Sequence, residues 1–168
     1  MDITIRHARP DELAAVGELT ARAYAAVLPE GDSYLEVLRD ARHRAEHTEL
    51  LVAVDTADGG DDVLGSVAFV PHGSPYTEVA RDGEGEFRML AVDPAHQGRG
   101  AADALVRACV NRARELGMSR IVISTGPRMH TAHRLYERLG FSRLPDRDWS
   151  PVPGIDLRCY SLELVTDL

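Results

Sequence analysis

The sequence predicts a single mixed α/β domain. Three observations carry that reading. Short apolar runs of strand type alternate with stretches of helical periodicity along the 168 residues. A chain of that length buries one sizeable core. No repeat, low-complexity tract or linker divides it, so residues 1–168 are taken as one domain.

The elements follow in order. Ile3 to Ala8 alternates as an edge-type strand. Pro10 suits a first helical turn, and Asp11 and Glu12 complement its positive end. The stripe Leu13, Val16, Leu19, Thr20 and Ala23 continues this helix until Pro29, Gly31 and Asp32 break it. A second helix is expected from Ser33 to His47, with Ser33 or Asp32 as its cap. Leu50 to Val54 and Val63 to Val70 read as a strand pair around the turn signal ADGGDD. Residues 71–84 have turn composition and no period, which predicts a mobile connection. Phe87 to Val92 reads as a buried strand. A long helix after Gln97 carries Ala102, Leu105, Val106, Cys109, Val110, Ala113 and Leu116 on one face, and Gly117 ends it. Ile121 to Ser124 is another buried strand. The last helix carries Ala132, Leu135, Tyr136 and Leu139, with Gly140 as its stop. Strands near Phe141 to Leu144 and Ile155 to Leu164 flank a Pro/Asp/Gly-rich loop.

Composition narrows the function classes. The net charge of −8 argues against nonspecific nucleic-acid binding, which needs basic surface. No apolar run approaches the ~20 residues of a membrane span. The opening residues, MDITIRHARPDEL, show no signal-peptide core, so a cytoplasmic location is the simplest reading. All 19 basic residues are Arg, which excludes Lys-dependent chemistry. Cys109 and Cys159 lack a second cysteine at ligand spacing and read as reduced core thiols. His130 and His133 stand three apart at a helix start without a third ligand. They read as a solvated helix face, and no metal is expected.

The turn QGRGAA, from Gln97 to Ala102, opens the long helix. Orphan amides and a partial positive charge at such an end suit a pyrophosphate. Gly98 and Gly100 allow close backbone approach, Ala101 and Ala102 keep the first turn clear, and Arg99 adds a charge. A Walker loop is excluded by the missing Lys. A dinucleotide fingerprint fits badly, because Asp103 takes the third glycine's place. The turn taken alone is equally compatible with a small-residue helix start built for close packing.

Together with FRMLAVDP before it and LYERLGF after it, the turn resembles the GCN5-related N-acetyltransferases, the GNAT family. That resemblance covers Glu86 to Phe141 closely and the flanks loosely. It implies a central mixed, mostly antiparallel sheet with helices on both faces and a splayed parallel strand pair. It implies acetyl-CoA as cosubstrate, held by Leu90, Ala91 and Val92 on the splayed strand, by Gln97 to Ala102, and by Ala132 and Tyr136. It implies that the Leu90 N–H faces the acetyl carbonyl, that Glu86 serves as base and that Tyr136 protonates the departing sulfur. Glu86 also reads as a solvated strand-end residue facing Arg88, and Tyr136 as an ordinary member of its helix stripe. The Asn that many members carry three residues before Ala132 is Met129 here, leaving His130 or Thr125 to replace it. Tyr24, Tyr34, Glu30 and Asp32 line the region where the family binds its acceptor, or form a capped surface turn. Trp149 covers the acceptor side or plugs the core.

The expected function is acetyl transfer from acetyl-CoA to a primary amine of a small molecule or peptide, without a covalent enzyme intermediate. The alternative of another class is a non-catalytic acyl-CoA-binding sensor. Acyl-chain size, acceptor and oligomeric state stay open, a homodimer included.

Overall fold

Apolar alternation places each strand. In a computed structural model, which describes residues 2–164, the strands are β1 (Ile3–His7), β2 (Glu49–Asp55), β3 (Asp62–Val70), β4 (Glu84–Val92), β5 (Arg120–Thr125), β6 (Ser142–Arg143), β7 (Trp149–Val152) and β8 (Ile155–Glu163). They form an eight-stranded sheet in the order β1-β2-β3-β4-β5-β8-β6, with β7 also on β8. Among the described residues only β4 and β5 run parallel; the other pairings are antiparallel. A parallel pair needs a crossover, and α4 (Ala101–Glu115) supplies it.

Helices cover both faces. Leu51 and Ala53 of β2 join Leu105, Val106, Cys109 and Ala113 of α4 in the largest core. The alternate residues Leu50, Val52 and Val54 join Leu13 and Val16 of α1 (Leu13–Ala25) and Ala41 of α3 (Ala41–His47). This is the period-two logic of a sheet buried on both sides. Leu105 is fully buried, and that burial alone is worth roughly 2 kcal/mol. The remaining helices are α2 (Tyr34–Arg39) and α5 (His130–Arg138). Among the described residues no helix is long and apolar enough to cross a membrane.

Several expectations need correction. The helix expected from Ser33 to His47 is two helices. Asp40 leaves the helical region (φ −83°, ψ 68°), and its carboxylate accepts the His43 amide at 3.1 Å, capping α3. Asp32, rather than Ser33, accepts the Tyr34 amide at 2.8 Å. The expected loop after Leu144 contains β7, which pairs with β8 from Trp149 opposite Leu157. β4 starts at Glu84, three residues early, because Glu84 and Gly85 pair with β5. The connection 71–84 is tied down: Ser74 Oγ donates to the His47 carbonyl at 2.7 Å and Arg147 donates to the Val79 carbonyl at 3.0 Å. Those partners lie far away in sequence, so local composition cannot announce them. His130 is exposed as expected, but His133 is buried and its Nε2 lies 3.0 Å from the Gly126 carbonyl. Burial holds its pKa below the usual range.

Candidate active site

The parallel pair opens like a fork. β4 and β5 pair only at Glu84 with Arg120 and at Gly85 with Ile121. From Glu86 to Val92 the edge of β4 has no partner in β5. A bulge bends it: the β3–β4 register slips between Ser66 and Ala68, where Met89 takes a left-handed φ of +58°. Such a conformation costs a non-glycine residue roughly 1–3 kcal/mol and persists only where packing enforces it. Met89 is buried among Leu38, Val70 and Tyr76. Leu90 follows the kink, and with Val92 it packs against the α4-side core, while Ala91 is buried opposite Ser66.

The turn at the mouth of the fork leads into α4. Gly98 and Gly100 have φ of +81° and +86°, which demand glycine, and a Cβ on Gly98 would meet nothing within 4 Å. Gln97 to Gly100 are exposed, and no side chain caps the helix. The first-turn amides of the fifteen-residue α4 therefore face an open mouth without a side-chain cap.

Tyr136 lies beneath the fork. Its ring sits 5.9 Å from Phe87, 5.7 Å from Phe141 and 6.1 Å from Tyr160, between ring centroids. Burial, and secondarily Cys109, pushes its pKa well above the usual phenol value. Thr125 closes β5, and its buried hydroxyl has no hydrogen-bond partner. Trp149 Nε1 donates to the neighbouring Ser124 hydroxyl at 3.3 Å.

The other face of β4 carries charge. Glu86 is 1% exposed, and its Oε1 accepts the amides of Glu78, Val79 and Ala80 at 3.0–3.1 Å. Burial raises its pKa, against the pull of those three bonds. Glu78 pairs with Arg88 at 2.9 Å. Arg88 also borders a shallow cleft of about 500 Å³ with Val37, His43, Pro75 and Tyr76. Arg44 is buried behind it with one guanidinium nitrogen unpartnered.

Comparison with known proteins decides the family. The model of the acetyltransferase (GNAT) family matches residues 13–141. The chain belongs to the GNAT acetyltransferase family. Human N-acetyltransferase 8B is 34% identical over 87 residues, which are 52% of this chain and 37% of that protein. The match thus spans little more than a third of that relative. An acetyltransferase of the GNAT family from Staphylococcus aureus Mu50 superposes with a TM-score of 0.72 at 14% identity, covering 98% of this chain and all of that one. The yncA protein of Salmonella typhimurium, solved with its cofactor acetyl-CoA, gives 0.65 at 22% identity over 100% and 97% of the two chains.

Within this GNAT domain the expected site residues fall into two groups. Leu90 to Val92, Gln97 to Ala102, Ala132 and Tyr136 surround the fork and its mouth. Glu86 sits apart from them, under the 71–84 connection, and it does not contact Arg88 as a solvated residue would. Sequence reasoning missed Glu78, Tyr76 and Arg44. No periodicity marks the first two, and only the fold buries Arg44 and bonds it to the Val37 carbonyl at 3.3 Å. Tyr24 and Tyr34 do line this side, packed on the Met89 cluster. Among the described residues no group of His, Cys, Asp or Glu side chains is placed to hold a metal ion.

Proposed function

We propose that this chain is an N-acetyltransferase that moves the acetyl group of acetyl-CoA to a primary amine of a small molecule or peptide. One observation carries the reading: the open stretch of β4 ends at an uncapped, glycine-lined helix start. The spacing suits a ligand with an extended arm and an anionic tail. Membership of the family and the acetyl-CoA in the yncA structure support the same ligand.

The residues divide the work. Amides from Gly98 to Ala102 receive the pyrophosphate, and Arg99 adds a charge-assisted contact. The backbone of Leu90 to Val92 pairs with the pantetheine arm as an added strand would. Ala132 leaves room, and the buried, unpartnered Thr125 hydroxyl takes the polar role that Met129 cannot. Bound acetyl-CoA supplies a thioester carbonyl as electrophile. The Leu90 N–H stabilises the oxyanion that forms there, a role typically worth ~3 kcal/mol. Tyr136 stays protonated at neutral pH and donates to the leaving sulfur. A carboxylate of the Glu78–Glu86 pair accepts the amine's proton.

Direct transfer follows from the thiols. Cys109 is buried in α4, and burial lifts its pKa far from the thiolate range. Cys159 is buried in β8 with its pKa pushed up to about 11, chiefly by burial. Neither is a competent acyl carrier.

Calorimetry with acetyl-CoA, CoA and NAD side by side tests the cofactor. Release of CoA thiol in the presence of polyamines, amino acids, aminoglycosides and short peptides tests the chemistry. We expect both CoA species to bind, NAD to fail, and at least one amine class to release thiol. Binding with no turnover on any amine would leave a CoA sensor instead.

A further inference from the structure

A half-buried carboxylate on the β3–β4 connection is held in place by β4 and keeps part of its surface open to solvent. Glu78 stands on the β3–β4 connection with its side chain 25% exposed and one oxygen 2.9 Å from Arg88 Nε. Arg88 is itself immobilised. Its Nη1 donates to the Tyr76 carbonyl at 3.1 Å and its Nη2 to the Tyr34 hydroxyl at 3.0 Å. Glu86 fixes the backbone beneath, accepting the Glu78 amide at 3.0 Å. One strand, β4, thus holds both the main chain and the side chain of Glu78. Tyr24 of α1 and Tyr34 of α2 pack on the cluster around Met89. The Glu78–Arg88–Tyr34 group therefore lies beside the kinked stretch of β4.

Glu86 is the poorer base by geometry. It is 1% exposed, and its Oε1 already accepts three amides. Protonating that oxygen would set a new donor against three existing ones.

We propose that Glu78 is the catalytic residue that takes the proton of the acceptor ammonium, with Arg88 and Glu86 as the residues that position it. This rests on the acetyltransferase reading above. The ammonium gives one proton to the Glu78 carboxylate, and the freed lone pair forms a C–N bond to the thioester carbon. The carbonyl pair moves to oxygen and returns as the C–S bond breaks. Sulfur leaves with the bonding pair and takes the Tyr136 proton. The new amide nitrogen sheds its second proton to restore Tyr136, and Glu78 returns its own to water.

Charges facing Glu78 are Arg88 and Glu86 from β4, with the Tyr34 phenol from α2. Burial raises the Glu78 pKa above the usual carboxylate range, and Arg88 opposes this. A raised pKa suits a base that works near neutrality.

The test compares Glu78→Gln, Glu78→Asp and Glu86→Gln, using the best amine of the panel. We expect Glu78→Gln to lower kcat by roughly 10²–10⁴-fold and to abolish the acid limb of the kcat/KM profile. Its acetyl-CoA affinity should stay within about twofold, because the residue is remote from the anion-binding turn. Glu78→Asp should restore part of the rate and the limb. Glu86→Gln should lower the rate while keeping the limb. A Glu78→Gln enzyme with wild-type kcat and an intact limb overturns the assignment, as does a limb lost only in Glu86→Gln. Wild-type protein that binds no acetyl-CoA or acetylates no amine sinks the broader reading, and this one with it. An active wild type beside an unimpaired Glu78→Gln sinks this one alone.

Discussion

Tyr136 is 6% exposed and stacked among Phe87, Phe141 and Tyr160. Replacing it by Phe keeps the ring packing and removes only the proton donor. Tyr136→Phe is expected to lower kcat by roughly 10–100-fold. Acetyl-CoA affinity by calorimetry and the melting temperature should hardly change. An unaltered kcat would assign protonation of the sulfur to solvent. Tyr136 could be picked out in advance because it stands in a short linked motif at helical spacing. Glu86 was visible too, but its environment was not: the three amides that fill its Oε1 come from a segment with no periodicity. Met89 carried no signal at all. A left-handed methionine arises from the bulge, which depends on how β3 and β4 register.

At the scale of an element, α4 joins core to site. One face packs Leu105, Val106, Cys109 and Ala113 against the sheet, so its axis is fixed and its N-terminus cannot drift from the fork. Gly100 is the hinge of that arrangement, at φ +86° immediately before the first helical residue. Gly100→Ala would place a Cβ in a conformation that costs roughly 1 kcal/mol. The turn would relax and rotate its amides away from the mouth. The expected result is acetyl-CoA binding weakened at least about tenfold, with a melting temperature only slightly lower. Unchanged affinity by calorimetry would show that the amides of this turn do not hold the anion. Elements of this kind were legible because a stripe of apolar residues and a terminal glycine both marked α4. The split of α2 from α3 was not, because Arg42 and Ala45 continue the periodicity past Asp40. There a single carboxylate preferred capping the His43 amide to continuing the turn. β7 was hidden by Pro151, Pro153 and Gly154, whose turn composition masks a hairpin.

For the whole molecule the decisive place is the closed end of the fork. The strands β1 to β4 meet β5 and its neighbours through only two residue pairs of the sheet, and Glu84 is one of those residues. Its side chain is 6% exposed and accepts from Arg147 through both nitrogens, at 3.0 and 2.7 Å. It also accepts from Arg120 at 2.7 Å and from the Arg81 amide at 2.9 Å. One carboxylate thereby ties β4, β5 and the segment before β7 into a single body. Burial works to raise its pKa, but Arg147, the Arg81 amide and Arg120 prevail and hold it at about 2. Because the folded value lies below the unfolded one, the stabilisation is complete above about pH 4.5. It is lost as pH falls from there toward 2, and it amounts to on the order of 3 kcal/mol. Glu78 and Glu86, whose values are raised, act in the opposite sense and recover stability on protonation. Glu84→Gln should cost roughly 3 kcal/mol at pH 7, since it strands Arg147 with its charge largely buried. The variant should also lose less stability than the wild type between pH 5 and pH 3, because the group that titrates there is gone. Urea unfolding at those three pH values measures both effects. Parallel acid slopes in the two proteins would place the acid-sensitive contact elsewhere and leave the fork held by packing alone.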